Sequence, residues 1–222
     1  MTAEAKPKAS RQRGTWKQDP EAVKADILRV AREEFAAHGL SGARVQEISS
    51  RTKTSKRMIF YYFKDKENLY REVLEQAYRD VRTGEKALEL ENLDPVAALR
   101  KLVAYTFDHH RANEDFIRLV MIENIHRGSH VAESDTIRAG NSPVVEQLKE
   151  ISERGMRQGI FRSDINPLQL HWKISALCFF NVSNESTFSV IFGNDIATPE
   201  GQEALKADVV DTIVSSVLSV ES

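Results

Sequence analysis

The stretch from Arg44 to Lys66, RVQEISSRTKTSKRMIFYYFKDK, constrains the fold more than any other part of the chain. It predicts two short helices joined by a tight turn. Ser55 is placed to cap the second helix, because a serine oxygen there can accept from an N–H two or three residues later. Ile59 and Phe63 stand four residues apart and share one face, which we expect to be buried. The exposed end is cationic, as in a helix-turn-helix whose second helix enters the major groove of DNA.

The charge of the chain is divided unevenly along its length. Residues 1–66 carry 15 basic and 8 acidic side chains, whereas residues 67–222 carry 16 basic and 25 acidic ones. A basic region joined to an acidic remainder is typical of proteins that bind nucleic acid. A solvated charged face is the alternative explanation, and charge alone does not separate the two.

The residues ISSRTKTSKRMIFYYFKDKENL, from Ile48 to Leu69, resemble the helix-turn-helix signature of the tetracycline-repressor (TetR) family of transcriptional regulators. The resemblance covers about residues 23–70. It implies a double-stranded DNA operator, a small-molecule effector bound in the helical body, and a homodimer formed by the last two major helices. One departure is Lys53, which stands where the family usually has glycine. If φ is positive there, lysine costs about 1 kcal/mol.

We predict an all-α protein with an N-terminal three-helix helix-turn-helix head and a C-terminal helical body for ligand binding and dimerisation. Residues 1–18 are expected to be a disordered basic tail, or alternatively an arm that tracks DNA. Residues 19–66 form the DNA-binding domain in this prediction, and residues 67–222 form the body. The lone Cys178 and the lack of a signal peptide or membrane span predict a cytoplasmic protein without disulfides.

Helix signals divide the body further. We expect helices from residue 66 to 90, from Asp94-Pro95 onward, and from Ser142-Pro143 onward, with a mobile loop over residues 128–140. The apolar stretch 167–192 and a last helix over 202–220 follow, separated by a loop over 193–201. The last helix has apolar residues on two faces, which predicts a dimer seam shared with part of 167–185. An ordinary buried helix is the alternative.

The helix-turn-helix offers several side chains for DNA. Lys and Arg commonly contact guanine, a methionine can touch the thymine methyl group, and Gln pairs with adenine. Tyrosines and further cations suit phosphates, which position a protein without specifying sequence. Phe60 and Phe63 are expected in the core. The predicted DNA-binding residues are Arg44, Gln46, Ser55, Lys56, Arg57, Met58, Tyr61, Tyr62 and Lys66.

The body holds aromatic side chains interspersed with polar ones, which is the usual chemistry of a small-molecule pocket. We expect an effector of modest size with an aromatic or heteroaromatic ring, although ordinary core packing could explain each aromatic residue. The predicted ligand-binding residues are Phe107, His110, Phe116, Met121, Glu123, Asn124, His126, Trp172, Ser175, Cys178, Phe179, Asn181 and Ser183.

Neither a metal site nor an active site is predicted. The histidines are scattered, no Cys-x-x-Cys spacing occurs, and no triad or phosphate-loop signature appears. No cofactor is therefore expected. Cys178 is read as a buried structural thiol, with redox sensing as the alternative. The functional prediction is a repressor released from a palindromic operator by a small molecule. A ligand-dependent activator, or an all-α enzyme or adaptor without DNA binding, remains open.

Overall fold

The computed structural model describes residues 19–219, apart from the side chains of residues 141 and 142. The predicted tail, residues 1–18, lies outside the described residues. The described chain contains no β-sheet, since its one extended pairing is an isolated bridge between Phe161 and Leu218. The all-α prediction is confirmed. The helices are α1 Pro20–Gly42, α2 Val45–Arg51, α3 Lys56–Phe63, α4 Lys66–Lys86, α5 Pro95–Ala112, α6 Glu114–Ile125, α7 Ser129–Ala132, α8 Asp135–Arg157, α9 Pro167–Ser183, α10 Glu185–Phe192 and α11 Pro199–Ser215.

Local capping explains where many of these helices begin. Ser55 Oγ accepts from the Met58 N–H at the start of α3, as predicted. Asp65 Oδ1 does the same for Asn68 in α4, and Asp94 for Val96 and Ala97 in α5. Helices α1, α5, α9 and α11 also have proline in the first turn, where its missing N–H has no cost.

Two hydrophobic cores organise the molecule. The first holds residues from α1, α2, α3, α4 and α6 and from the start of α8, with Phe35, Ile48, Ile59 and Phe63 all at most 1% exposed. The second is built from α5, α8, α9 and α11. Helix α4 packs against α1 on one side and α8 on the other. It therefore connects the helix-turn-helix head to the body.

Within the head, a positive φ occurs at Gly39 and not at the turn between α2 and α3. Gly39 has φ 65° and ψ 176°, a non-helical conformation inside α1. Lys53 is not among the non-glycine residues with positive φ, which in the described chain are Lys64, Glu89 and Arg127. The prediction of strain at Lys53 is wrong. The chain leaves α2 at Thr52 in an extended conformation, which any residue adopts.

The prediction of a mobile loop over residues 128–140 is also wrong. It contains α7 and the start of α8, which runs through Pro143 rather than beginning there. Ser134 explains the difference, because its Oγ caps Ile137 N at 3.1 Å and donates to Glu75 in α4 at 2.7 Å. Burial of Ile137 in the first core then fixes the turn.

The C-terminal helices also differ from expectation. The apolar stretch divides at Asn184 into α9 and α10, and the last helix begins at Pro199, capped by Thr198, and ends at Ser215. Its apolar residues Val209, Val210, Ile213 and Val214 are all buried inside one protomer. These residues therefore belong to the second core of one chain, and the predicted dimer seam stays a prediction.

Candidate nucleic-acid interface

Helix α3 has a cationic, exposed first turn, and its opposite face is buried. Lys56 and Arg57 are exposed, whereas Ile59 and Phe63 on the opposite face are each 1% exposed. Within the described chain, no carboxylate forms an ion pair with either cation. Both side chains are therefore available to an anionic or hydrogen-bonding partner from outside.

Interactions between helices hold α2 and α3 in place. The buried carboxylate of Glu34 in α1 accepts from the Arg44 backbone N–H at 3.0 Å, at the start of α2. Lys66 Nζ donates to the Ala43 carbonyl at 3.3 Å, which ties the start of α4 to the end of α1. This contact gives Lys66 a structural role, and a phosphate contact from Lys66 stays a prediction. Sequence alone did not reveal the role of Glu34.

The aromatic residues of α3 differ widely in exposure. Tyr61 is 75% exposed, and its ring meets that of Tyr62 edge-on with centroids 5.4 Å apart. Phe60 is 37% exposed and carries Lys56 Nζ 5.8 Å from its ring centroid, so its assignment to the core is wrong. Only Phe63 of the two phenylalanines is buried. The predicted DNA-facing residues Gln46 and Arg44 are exposed on α2 and at its N-cap, and Met58 is 37% exposed.

Two family descriptions match the chain. "Bacterial regulatory proteins, tetR family" matches residues 27–73, which include α2, α3 and the start of α4. "Tetracyclin repressor-like, C-terminal domain" matches residues 95–213. The chain belongs to the TetR family. The matched residues 27–73 include α3 with its exposed first turn, and this family consists of transcriptional regulators.

Relatives and solved structures agree with this assignment. The chain is 35% identical over 193 residues to the HTH-type transcriptional repressor NicS of Pseudomonas putida, covering 87% of this chain and 91% of that protein. It is 31% identical to the repressor SCO4008 of Streptomyces coelicolor, and the match covers 62% of this chain and 69% of that protein. The hemolysin II transcriptional regulator HlyIIR superposes with TM-score 0.54 at 26% identity, covering 90% of this chain and 99% of that one. KstR2 of Mycobacterium tuberculosis, at 14% identity and TM-score 0.67 over 89% and 95% of the chains, shares the fold.

The TetR-family body does not gather the predicted ligand-binding residues into one cavity. Six are buried: Phe107, His110, Phe116, Glu123, Cys178 and Asn181. Met121, His126 and Ser183 instead line an open groove between α1 and α6. Trp172 is 72% exposed, Asn124 is exposed, and Ser175 and Phe179 are half-buried. The structure thus distributes these residues among the core, the groove and the surface, and their role in ligand binding stays a prediction.

Glu123 serves the fold, because its carboxylate is fully engaged inside the protein. Its Oε1 accepts from the Tyr70 hydroxyl at 3.0 Å and lies 2.9 Å from His130 Nδ1. Its Oε2 accepts from the backbone N–H groups of His130 and Val131 at 3.1 and 3.3 Å. This network joins α4, α6 and α7. Similarly, Asn181 exchanges amide hydrogen bonds of 2.9 and 3.1 Å with Gln202.

A cluster of rings surrounds Phe116 where α4, α5 and α6 meet. The Phe116 centroid lies 5.3 Å from that of Tyr78, 6.2 Å from that of His109 and 5.9 Å from that of His110. Three buried nitrogen atoms of this region lack a hydrogen-bond partner, namely Arg82 Nε, His109 Nδ1 and His110 Nδ1. Buried polar atoms are normally satisfied, so this region could accept a ligand with polar groups. The sequence pointed to Phe116 and His110 but missed Tyr78, Arg82 and His109.

Burial shifts the pKa values of several groups in the body. Desolvation, with the nearby His109 charge, lowers the pKa of His110 to about 4, and desolvation also lowers the pKa of His109 and of His171. Desolvation raises the pKa of Glu85 to about 7 against the opposing effect of Arg82. The Cys178 thiol has its pKa raised to about 12, which disfavours the reactive thiolate and supports a structural role.

The shift at His110 predicts a pH-dependent stability. Its folded pKa lies below the value of about 6.5 expected when unfolded, so the unfolded chain takes up the proton first as pH falls. Stability is thereby lost as pH falls from about 6.5 towards 4. Between pH 7.5 and pH 5, we expect unfolding free energy to fall about 2 kcal/mol more in the wild type than in His110→Gln. Urea denaturation of both proteins measures this, because the opposite contribution of Glu85 is common to both. Equal pH dependence would contradict the prediction.

The spacing of two histidines and the length of the helices bear on metal and membrane binding. His126 and His130 are four residues apart, a spacing that can bind metal on a continuous helix, but Gly128 with φ 67° separates them. In residues 19–219, no group of three or more His, Cys, Asp or Glu side chains is arranged to hold a metal ion. None of the described helices combines the length and apolar character needed to cross a membrane.

Proposed function

We propose that this TetR-family protein is a homodimeric cytoplasmic repressor, with a DNA-binding head over residues 19–66 and an effector-binding body over residues 67–222. The observation that carries the proposal is the exposed cationic first turn of α3, which forms no ion pair with the described residues and lies opposite the buried Ile59 and Phe63. The names of the relatives NicS and SCO4008, both repressors, support the direction of regulation.

Each protomer would place α3 in the major groove, with Lys56 and Arg57 reading base edges, Met58 a thymine methyl and Gln46 an adenine. Tyr61, Tyr62 and Arg44 would position the head through phosphates. A dimer sets two such helices roughly 34 Å apart, so the operator should be nearly palindromic.

The effector would bind beside the ring cluster around Phe116. Stacking on Tyr78, His109 and His110 suits a small aromatic ring, and the unpartnered nitrogen atoms suit a polar substituent on it. Because Tyr78 and Arg82 belong to α4, a ligand there would act on the helix that joins head and body. Coupling of about 1–3 kcal/mol would change operator affinity roughly 5- to 150-fold.

Transcription from a promoter that overlaps the bound operator tests the direction of regulation. We expect purified protein to lower transcript yield, and a matched aromatic effector to restore it. Higher transcript yield on adding protein would instead assign a ligand-dependent activator, which the same fold permits. An absence of any effect, together with an absence of DNA binding, would favour an adaptor.

A further inference from the structure

A groove between α4 and α8 reaches an arginine–glutamate ion pair in the interior of the body. The groove has a volume of about 550 Å³, and Arg82 and Glu85 of α4 line it together with Pro143 and Val144 of α8. Arg82 Nη1 donates to Glu85 Oε2 at 2.5 Å. Because Glu85 is only 5% exposed, the ion pair lies at the bottom of the groove rather than at its rim.

The guanidinium of Arg82 is only partly paired. Its Nε atom is buried, and no hydrogen-bond partner for it occurs among the described residues. Nε lies on the side edge of the guanidinium, and such an edge can donate two parallel hydrogen bonds to a carboxylate or a phosphate. Glu85 contacts Nη1, so this edge is left for a second acceptor. A buried charged donor without an acceptor is costly, and a bound anion would remove that cost.

The surroundings of Arg82 favour an anion as well. Desolvation lowers the pKa values of His109, His110 and His171 on α5 and α9, and the nearby charge of Arg82 adds to this effect. The Nδ1 atoms of His109 and His110 are buried without a partner. A neutral imidazole can donate one N–H to a bound anion. In the described chain, Glu85 is the one carboxylate that forms an ion pair with Arg82.

We propose that the effector of the body is an organic anion, which enters between α4 and α8 and whose acidic group pairs with the free edge of Arg82. The inference rests on the proposed function, and it adds the charge of the ligand, its anchoring residue and its route of entry. Glu146 and Glu150 line the same groove and oppose an anion, but both are exposed. Salt and water screen exposed charges far more than the charge of a largely buried arginine.

Glu85 provides a second signature of the same site. A bound anion competes with Glu85 for Arg82, so neutralising Glu85 should favour binding. Desolvation raises the pKa of Glu85 to about 7 against the opposing effect of Arg82, so its carboxylate is mostly charged at pH 8 and mostly protonated at pH 6. The other charged or titratable groups near Glu85 are Lys86 of α4, Tyr105 of α5, and Glu146 and Glu150 of α8.

Ligand-observed NMR titration of the full chain with three matched probes tests the charge of the ligand. Benzoate, benzamide and benzylamine share one ring and differ in charge. Benzoate should bind at least about tenfold more tightly than benzamide, because a hydrogen bond to a charged group contributes at least that much, and benzylamine should bind most weakly. Equal binding of benzoate and benzamide, tighter binding of benzylamine, or no binding of benzoate at millimolar concentration would overturn the proposal.

Variants of Arg82 test the anchoring residue. Arg82→Gln should weaken benzoate binding about tenfold or more and leave benzamide binding within about threefold of wild type. Arg100→Gln is the control, since Arg100 of α5 also pairs with a carboxylate, that of Asp211 at 2.7 Å, but does not line the groove. Equal effects of the two variants on benzoate would contradict the assignment. If Arg82→Gln does not fold, Arg82→Lys keeps the charge without the two-point contact and should still weaken benzoate binding about threefold or more.

Glu85→Gln tests the competition for Arg82. The wild type should bind benzoate up to about tenfold more tightly at pH 6 than at pH 8, because a proton from solvent neutralises Glu85. Benzoate, a carboxylate with a pKa of about 4, stays charged at both pH values. The variant should bind benzoate more tightly than the wild type at pH 8 and lose most of the pH dependence. Weaker binding by the variant at pH 8 would overturn the proposal.

Operator binding without any probe separates this inference from the proposed function. A protein that binds an operator but prefers a neutral or cationic probe would keep the proposed function and lose the inference. A protein that binds benzoate through Arg82 but binds no operator would keep the anion site and lose the proposed function.

Discussion

Replacing Arg57 by alanine is expected to weaken operator binding at least roughly 30-fold. A bidentate contact from arginine to guanine is worth about 1–3 kcal/mol of discrimination, and a dimer loses two of them. Arg57 is exposed at the first turn of α3, on a helix fixed by the burial of Ile59 and Phe63. The loss should therefore occur without unfolding. Fluorescence anisotropy with a labelled operator at fixed salt measures it.

Arg79→Ala is the matched control for Arg57→Ala. Arg79 is an exposed arginine of α4, 13 residues and about 20 Å beyond the start of that helix, so its removal changes net charge equally. We expect operator affinity within about twofold of wild type, given salt screening over this distance. A scrambled duplex should show a smaller loss for Arg57→Ala than the operator does. Equal losses on both duplexes would assign Arg57 to phosphate rather than base contact.

The second large effect is expected at Glu123. Glu123→Ala removes the acceptor for the Tyr70 hydroxyl, for the His130 ring and for the backbone N–H groups of His130 and Val131. Leaving one buried and three partly buried donors unsatisfied should lower the free energy of unfolding by about 3–5 kcal/mol. Urea denaturation at one protein concentration measures the loss, because dimer dissociation contributes to apparent stability.

Tyr70→Phe provides the comparison for Glu123→Ala. It removes one hydrogen bond but keeps the ring that packs edge-on against Phe35 at 5.0 Å. We expect a loss of about 1 kcal/mol, since Glu123 retains its other donors. If Glu123→Ala cost no more than Tyr70→Phe, the network would not carry the stability assigned to it.

Local sequence signals predicted α3 well. The Ser55 cap and the spacing of Ile59 and Phe63 depend only on neighbours within one or two turns, and the structure has all three as expected. Phe60 was wrongly assigned to the core, because the hydrophobicity of a residue does not determine which face of the helix it lies on. Its position on α3 points it away from the core, where it meets Lys56.

Contacts between residues that are far apart in the chain could not be predicted from the sequence. Tyr70 and Glu123 are 53 positions apart, and Ser134 and Glu75 are 59 apart, so no local pattern links them. For that reason Glu123 was expected to face a ligand, and residues 128–140 were expected to be a loop. The sequence of the body does not distinguish aromatic and histidine residues that pack in the core from those that face solvent or line a site. The ring cluster around Phe116 became distinguishable only through its unpartnered nitrogen atoms.

Selection of the tightest sequences from a pool of random DNA duplexes, at stated near-physiological salt, tests the central claim most directly. The account predicts enrichment of one near-palindromic sequence whose half-sites lie about one helical turn apart. It also predicts that Arg57→Ala loses this enrichment while Arg79→Ala retains it. Weak binding without sequence preference, lost as salt rises and equal in both variants, would contradict a specific operator-binding regulator.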